Sequence, residues 1–199
     1  MKHTILSFLL AACCVSAHAD VISSNVIGFD DLTSSETAVI ADGYAGFNWT
    51  GAGVIGADAY PDSGFANGVV SAANVAFNHG GGTVTISNAA GFDFIGAFFT
   101  SAWYEQELSF EGSRAGQLLF ATDVSYGIDT FAPQWIELGW RGIDTLTIYN
   151  SSGTQWAMDA FTASAPAPNT VPEPGTLALC GIAAAGCLAA RRRRPLQRV

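Results

Sequence analysis

The chain has 199 residues, of which 49 % are apolar and only 13 % charged, about half the charged share usual in a soluble domain. One domain is therefore the default, with enough apolar material for a core and too much for intrinsic disorder. The formal charge of −9 hides a segregation, because residues 20–170 hold sixteen acids against two arginines, Arg114 and Arg141, a balance of −14 without a single lysine. A surface of that sign repels phosphate backbones, which excludes nucleic acid as a partner. Cys13, Cys14, Cys180 and Cys187 all lie toward the two ends, and His79 is the only histidine of the middle. A disulfide framework, a zinc site and a cysteine nucleophile lack their raw material there.

Residues 1–19 read as a secretory signal peptide. Lys2 and His3 make a short positive start, residues 5–15 form an apolar run, and Ala17 and Ala19 flank His18 in a small-x-small cleavage site. Leu10-Ala11-Ala12-Cys13 looks like a bacterial lipoprotein box, but the apolar run before Cys13 is short for one. Export with cleavage before Asp20 is the expectation.

Residues 20–163 read as one β domain. Strands are expected over 21–29, 46–50, 69–77, 83–87, 92–100, 106–111, 118–124, 135–140, 146–149 and 155–162. The runs 83–87 and 146–149 alternate strictly, and 92–100 is apolar at nearly every position, as in a central strand. Pro61-Asp62-Ser63-Gly64, Gly80-Gly81-Gly82 and Asn150-Ser151-Ser152-Gly153 supply turns. No stretch keeps a helical apolar stripe for three turns. Strands at this spacing predict an all-β, two-sheet antiparallel β-sandwich of jelly-roll type.

The middle is poorly equipped for catalysis. His79-Gly80-Gly81-Gly82 looks superficially like an esterase oxyanion run, but the chain has no Gly-x-Ser-x-Gly elbow, so His79 reads as a turn residue. Glu105, Glu107 and Glu111 alternate along a strand, which is either a solvated acidic face or the carboxylate pair of a glycan hydrolase or lyase. Phe29-Asp30-Asp31 ends the first strand and Asp159-Ala160-Phe161 lies in the last, and jelly rolls commonly set those strands side by side. Asp30, Asp31 and Asp159 are thus candidate ligands of a structural Ca2+, the alternative being strand-end caps. The arrangement resembles the structural calcium site of carbohydrate-binding jelly rolls. Among Tyr44, Trp49, Tyr60, Trp103, Tyr104, Trp135, Trp140 and Trp156, most are expected in the core, while Trp103 and Tyr104 are placed on a loop where they form a candidate glycan platform.

The C-terminal end has three parts in order. A Pro-rich linker over 164–170 leads to Val171-Pro172-Glu173-Pro174, then to an uncharged run over 175–190, then to Arg191, Arg192, Arg193 and Arg194. The run is slightly short of the ~17–25 residues that span a bilayer, a deficit that snorkelling arginines cover. The four arginines set the tail, with residues 195–199, on the cytoplasmic side. Residues 171–194 resemble the PEP-CTERM sorting signal of Gram-negative, polysaccharide-producing bacteria. That resemblance implies a transmembrane sorting helix and an exosortase that cuts near the Val-Pro-Glu-Pro motif. The protein would be the substrate of that membrane protease-transpeptidase.

Three functions follow as expectations. The first is an exported, surface-sorted, non-enzymatic protein of the envelope or extracellular polysaccharide matrix, held transiently in the inner membrane and then processed. The second is a carbohydrate-binding module for extracellular polysaccharide. The third is a glycan hydrolase or lyase using Glu105 and Glu107.

Overall fold

The computed structural model describes residues 24–32 and 37–164. The signal peptide with Ala17 and Ala19, residues 165–170 of the linker, the motif Val171 to Pro174 and the arginines Arg191 to Arg194 lie outside the described residues.

The described chain is antiparallel β almost throughout. Its strands are β1 (Asn25–Ile27), β2 (Thr37–Val39), β3 (Asn48–Thr50), β4 (Ala52–Gly56), β5 (Asn74–Asn78), β6 (Val84–Ser101), β7 (Gln106–Arg114), β8 (Gln117–Ala121), β9 (Tyr126–Ile128), β10 (Gln134–Asn150) and β11 (Trp156–Ser164). The link from β4 to β5 holds a 3-10 turn, Ala57–Ala59, and a one-turn helix, α1 (Gly64–Asn67). All pairings are antiparallel, in the order β2-β4-β5-β11-β6-β10-β7-β8, with β1 on β11, β3 on β6 and β9 on β7. Among the described residues no helix is long and apolar enough to cross a membrane.

The expected pair of separate sheets is corrected to one continuous sheet, and the reason lies in two long strands. Runs 83–87 and 92–100 are one strand, β6, and runs 135–140 and 146–149 are one strand, β10. The first part of β6 pairs with β3 and its last part with β11, while β10 follows it on the other side throughout. Each long strand therefore belongs to both halves of the molecule and turns the corner between them, the way strands switch sheets through bulges. The corners are marked by register shifts in the β6–β10 ladder, where Trp140 faces Phe94, Ile143 faces Phe92 and Thr145 faces Ser87. Two extra residues on β10 are absorbed beside Gly139 (φ 60°) and Gly142 (φ 68°), a left-handed conformation that glycine adopts without steric cost. On β6 the corner is the exposed Ala89-Ala90 pair, where Asn88 accepts from the Ala90 amide at 2.9 Å.

The halves meet through aromatic rings. Trp49 on β3 stands 5.4 Å from Phe161 on β11, and Phe99 on β6 lies 5.5 Å from Phe110 on β7. Both contacts are edge-on, the arrangement that ring quadrupoles favour. Strands β4 and β5 are buried at every residue, because their second face is covered by Phe65 of α1 together with Ala102, with Ala59 and Val69 packed against them.

Candidate functional site

The strongest candidate site is built where β6 hands over to β7. Gly64 begins α1 against the end of β6, and its amide donates to the Ala102 carbonyl at 3.0 Å. A Cβ at Gly64 would come within 1.7 Å of the Ser101 carbonyl oxygen, so only glycine allows this approach. The consequence is an aromatic stack on the surface: Trp103 meets Phe65 at 5.6 Å and Tyr60 at 5.5 Å, both edge-on. Trp103 is 41 % exposed, Tyr60 44 % and Tyr104 74 %.

Immediately after these rings the chain enters a groove of about 560 Å³, lined by Glu105, Gln106, Glu107, Gly127, Ile128, Asp129 and Ser151. That size falls in the usual range of small-ligand sites, ~300–1,000 Å³. Its floor is held rigidly. The Gln106 side chain is buried, and its amide nitrogen donates to Ser101 Oγ at 2.6 Å and to the Gln155 carbonyl at 2.9 Å. Its amide oxygen accepts from Asn150 and Ser152. Trp103 is tied to the same scaffold by its indole N–H, 2.9 Å from Gln155 Oε1. Ser151 and Glu107 exchange backbone and hydroxyl hydrogen bonds across the groove wall. Glu105 and Glu107 are exposed, and among the described residues neither carboxylate accepts a hydrogen bond. The lining carries three carboxylates and no basic side chain. Glu111 lies further along β7 and accepts from the Tyr149 hydroxyl at 2.9 Å, a bond that raises the Tyr149 phenol above its ordinary value.

The other acids singled out in the sequence serve the fold. Asp159 is wholly buried in β11 at a bulge whose next residue, Ala160, has φ 50°. Its Oδ2 accepts from the amides of Val70 and Ser71, both at 2.7 Å, and its Oδ1 from Ser71 Oγ at 2.9 Å and the Ala160 amide at 2.6 Å. Asp30 Oδ1 accepts from the amides of Ala73 and Asn74 at 2.8 and 3.0 Å. Burial works to raise the Asp30 carboxyl, but those two amides and the Ser71 hydroxyl outweigh it and hold it below its ordinary value. Asp31 accepts from the Tyr44 hydroxyl at 2.6 Å. Partial burial, that bond and the charges of Asp31 and Asp30 push the phenol well above its ordinary value.

The structure thus brings Asp30 and Asp159 onto one loop, residues 70–74, but as caps for its amides. Four donors occupy the four lone-pair directions of the Asp159 carboxylate, which does not fit a calcium ligand. Among the described residues no three His, Cys, Asp or Glu side chains converge as metal ligands.

The expected aromatic platform divides. Trp49 and Trp156 are core, Trp140 stacks on Phe120 at 5.4 Å, Trp135 covers Phe98, and Tyr44 serves Asp31. Trp103 and Tyr104 remain at the surface, with Tyr60 added. His79 lies in a one-turn helix, His79–Gly81, its amide bonded to the Gly51 carbonyl at 2.8 Å. Asp129, Gln106 and Ser151 were missed as groove residues, because they come from three separate segments and carry no motif.

Residues 170–194 match the family described as PEP-CTERM protein-sorting motif, so the chain carries that sorting signal at its C-terminal end. No curated protein matches the chain. Solved structures of low likeness include the following three. The CBM22-1 xylan-binding domain of Paenibacillus barcinonensis Xyn10C is 12 % identical, with 75 % of this chain and 97 % of that one covered and a TM-score of 0.42. The CBM22-1-CBM22-2 tandem of the same protein is 11 % identical, covering 79 % of this chain and 50 % of that one, with a TM-score of 0.41. TmCBM61, solved with β-1,4-galactotriose, is 12 % identical, covering 68 % of this chain and 92 % of that one, with a TM-score of 0.35. Likenesses of this size do not bear on function.

Proposed function

We propose that this protein is an exported, surface-sorted, non-enzymatic component of the envelope or extracellular polysaccharide matrix of a Gram-negative bacterium, processed by an exosortase. The observation that carries the reading is the sorting motif at residues 170–194. Its parts have complementary physical tasks. The apolar run partitions into the inner membrane, and the arginines hold the C-terminal end on the cytoplasmic side, leaving Val171-Pro172-Glu173-Pro174 at the opposite face for cleavage. Residues 1–19 act as the export signal, residues 20–163 form a jelly-roll-like sandwich passenger, and 164–170 space it from the membrane. Sequencing the C-terminus of the mature protein tests this directly. The expected end lies near Val171 to Pro174, and a surface-located chain that retains Arg191 to Arg194 would overturn the reading. Replacing all four arginines by alanine is expected to impair retention and processing, scored by cell fractionation. The melting temperature of the domain should not move.

A second reading concerns the passenger and is favoured by the exposed Trp103, Tyr104 and Tyr60 beside a carboxylate-lined groove. Flat rings offer stacking surface for the C–H faces of sugars, and the adjacent carboxylates accept from sugar hydroxyls. The passenger then binds the extracellular polysaccharide among which it is deposited. A glycan array with the purified protein checks it; loss of array signal in Tyr104→Ala assigns the platform.

A further inference from the structure

Resting on the glycan-binding reading, we propose that the groove takes a polysaccharide free of acidic groups and discriminates against uronate-bearing or otherwise anionic chains. The grounds are the charge of the lining and the direction of its hydrogen bonds.

Glu105, Glu107 and Asp129 put three negative charges on one groove, and its lining has no cation to offset them. The described domain has two arginines, and neither serves this site. Arg114 ends β7, with its guanidinium on the Gly142 carbonyl at 2.8 Å, and Arg141 precedes that glycine on β10. A carboxylate on a bound sugar would face like charges at close range. Each such pair costs about tenfold in affinity when partly shielded from solvent, and less in high salt.

Hydrogen-bond direction gives the same answer. An anionic ligand requires donors, yet the amide and indole donors of this site are already engaged. Both hydrogens of the Gln106 amide are spent on Ser101 and Gln155, and the Trp103 indole N–H is spent on Gln155. The Asp129 carboxylate accepts from the amides of Phe131 and Ala132, which leaves those amides unavailable as well. Among the lining side chains the groups left over are mostly acceptors, the carboxylates of Glu105 and Glu107 and Oδ2 of Asp129, against one hydroxyl donor, that of Ser151. Free acceptors beside exposed rings suit a ligand rich in hydroxyl donors with apolar ring faces, which describes a neutral sugar chain.

The test is isothermal titration of the full chain in mild detergent against cellohexaose, xylohexaose and mannohexaose, and against hexagalacturonate as the anionic probe, at low and high salt. We expect a neutral hexaose to bind at least about tenfold more tightly than hexagalacturonate, with the gap narrowing as salt rises. Tyr104→Ala should weaken neutral binding by about tenfold. At 74 % exposure that substitution is safe for folding, whereas Trp103 also supports Phe65. The double variant Glu105→Gln with Glu107→Gln should strengthen hexagalacturonate binding while neutral binding holds or falls slightly, a change of preference that a structural role would not produce. Hexagalacturonate binding as tightly as any neutral probe overturns the discrimination and leaves the glycan reading standing. Glycan binding unchanged in Tyr104→Ala and in the double variant overturns the groove as the site. Failure of every probe to bind removes the glycan reading and this inference together.

Discussion

Two sets of carboxylates in this domain look alike in the sequence and do opposite things. Asp30 and Asp159 close on the loop at 70–74, where every charge is met by backbone amides or a hydroxyl. Glu105 and Glu107 stand in a groove with no described donor on them. The first set is structural because fixed N–H groups hold the carboxylates in place, and at Asp159 they replace water outright, which makes its burial tolerable. The second set keeps its acceptors free and its water displaceable, which is the condition for meeting a ligand. Saturation with protein donors, more than charge or position along a strand, separates acids that hold the fold from acids that face outward.

The comparison can be broken most forcefully at Asp159. Asp159→Ala removes a wholly buried carboxylate and leaves the part-buried amides of Val70 and Ser71 and the buried amide of Ala160 without it, and is expected to cost about 3 kcal/mol in urea unfolding. A loss below about 1 kcal/mol would show that water replaces the carboxylate there and that the clamp is not structural. The neighbouring residue allows a test of opposite sign. Ala160 holds φ 50°, a left-handed conformation costing about 1 kcal/mol for a residue with a Cβ, and Ala160→Gly keeps the amide donor while removing that cost. Its melting temperature should rise; a fall would mean that the methyl group matters more than the strain.

Acid probes the clamp through Asp30. The Asp30 carboxyl sits below its ordinary value of 3.8 in the folded state, so the unfolded chain takes up a proton first as pH falls. Its contribution is complete above that value and is lost as pH drops through the lower, folded one. Thermal midpoints should therefore decline below pH 3.8, and Asp30→Asn should flatten that decline. Asp144, held low chiefly by the Ala115 amide, adds to the same acid limb and will keep the Asp30→Asn profile from becoming level.

The smallest effect belongs to the groove. Glu105→Gln with Glu107→Gln should change stability by no more than about 0.5 kcal/mol, since neither side chain is buried or bonded within the fold. A loss above about 1 kcal/mol would move these acids into the structural set. A chelator should likewise leave the melting curve in place, because amides and the Ser71 hydroxyl already occupy both oxygens of Asp159. A calcium-dependent rise that vanishes in Asp159→Ala would restore the ion expected from the sequence.

Period-two patterning and glycine-rich turns made the β class and most strands legible. What they concealed was continuity. Asn88-Ala89-Ala90-Gly91 reads as a loop between two strands, and so does the glycine-flanked stretch of β10, yet both are corners within single strands. β4 escaped notice because Gly53 and Gly56 depress strand propensity. The structure needs Gly53 at its position, since a Cβ there would meet the Phe77 ring at 2.7 Å. β9 has three residues, too few for any periodicity to register.

The sorting signal was readable from sequence alone, because its three parts are contiguous and act through composition: apolar length, a proline-bearing motif and clustered positive charge. Trp103, Tyr104 and Glu105 were readable as neighbours for the same reason. The roles of the aspartates were decided only in three dimensions. Asp159 meets Ser71 across 88 residues and Asp30 meets Asn74 across 44, and no local pattern encodes which amides will be left unpaired at such separations. Carboxylates that chance to sit side by side in space are ligands or caps according to the donors around them, and those donors are delivered by the fold.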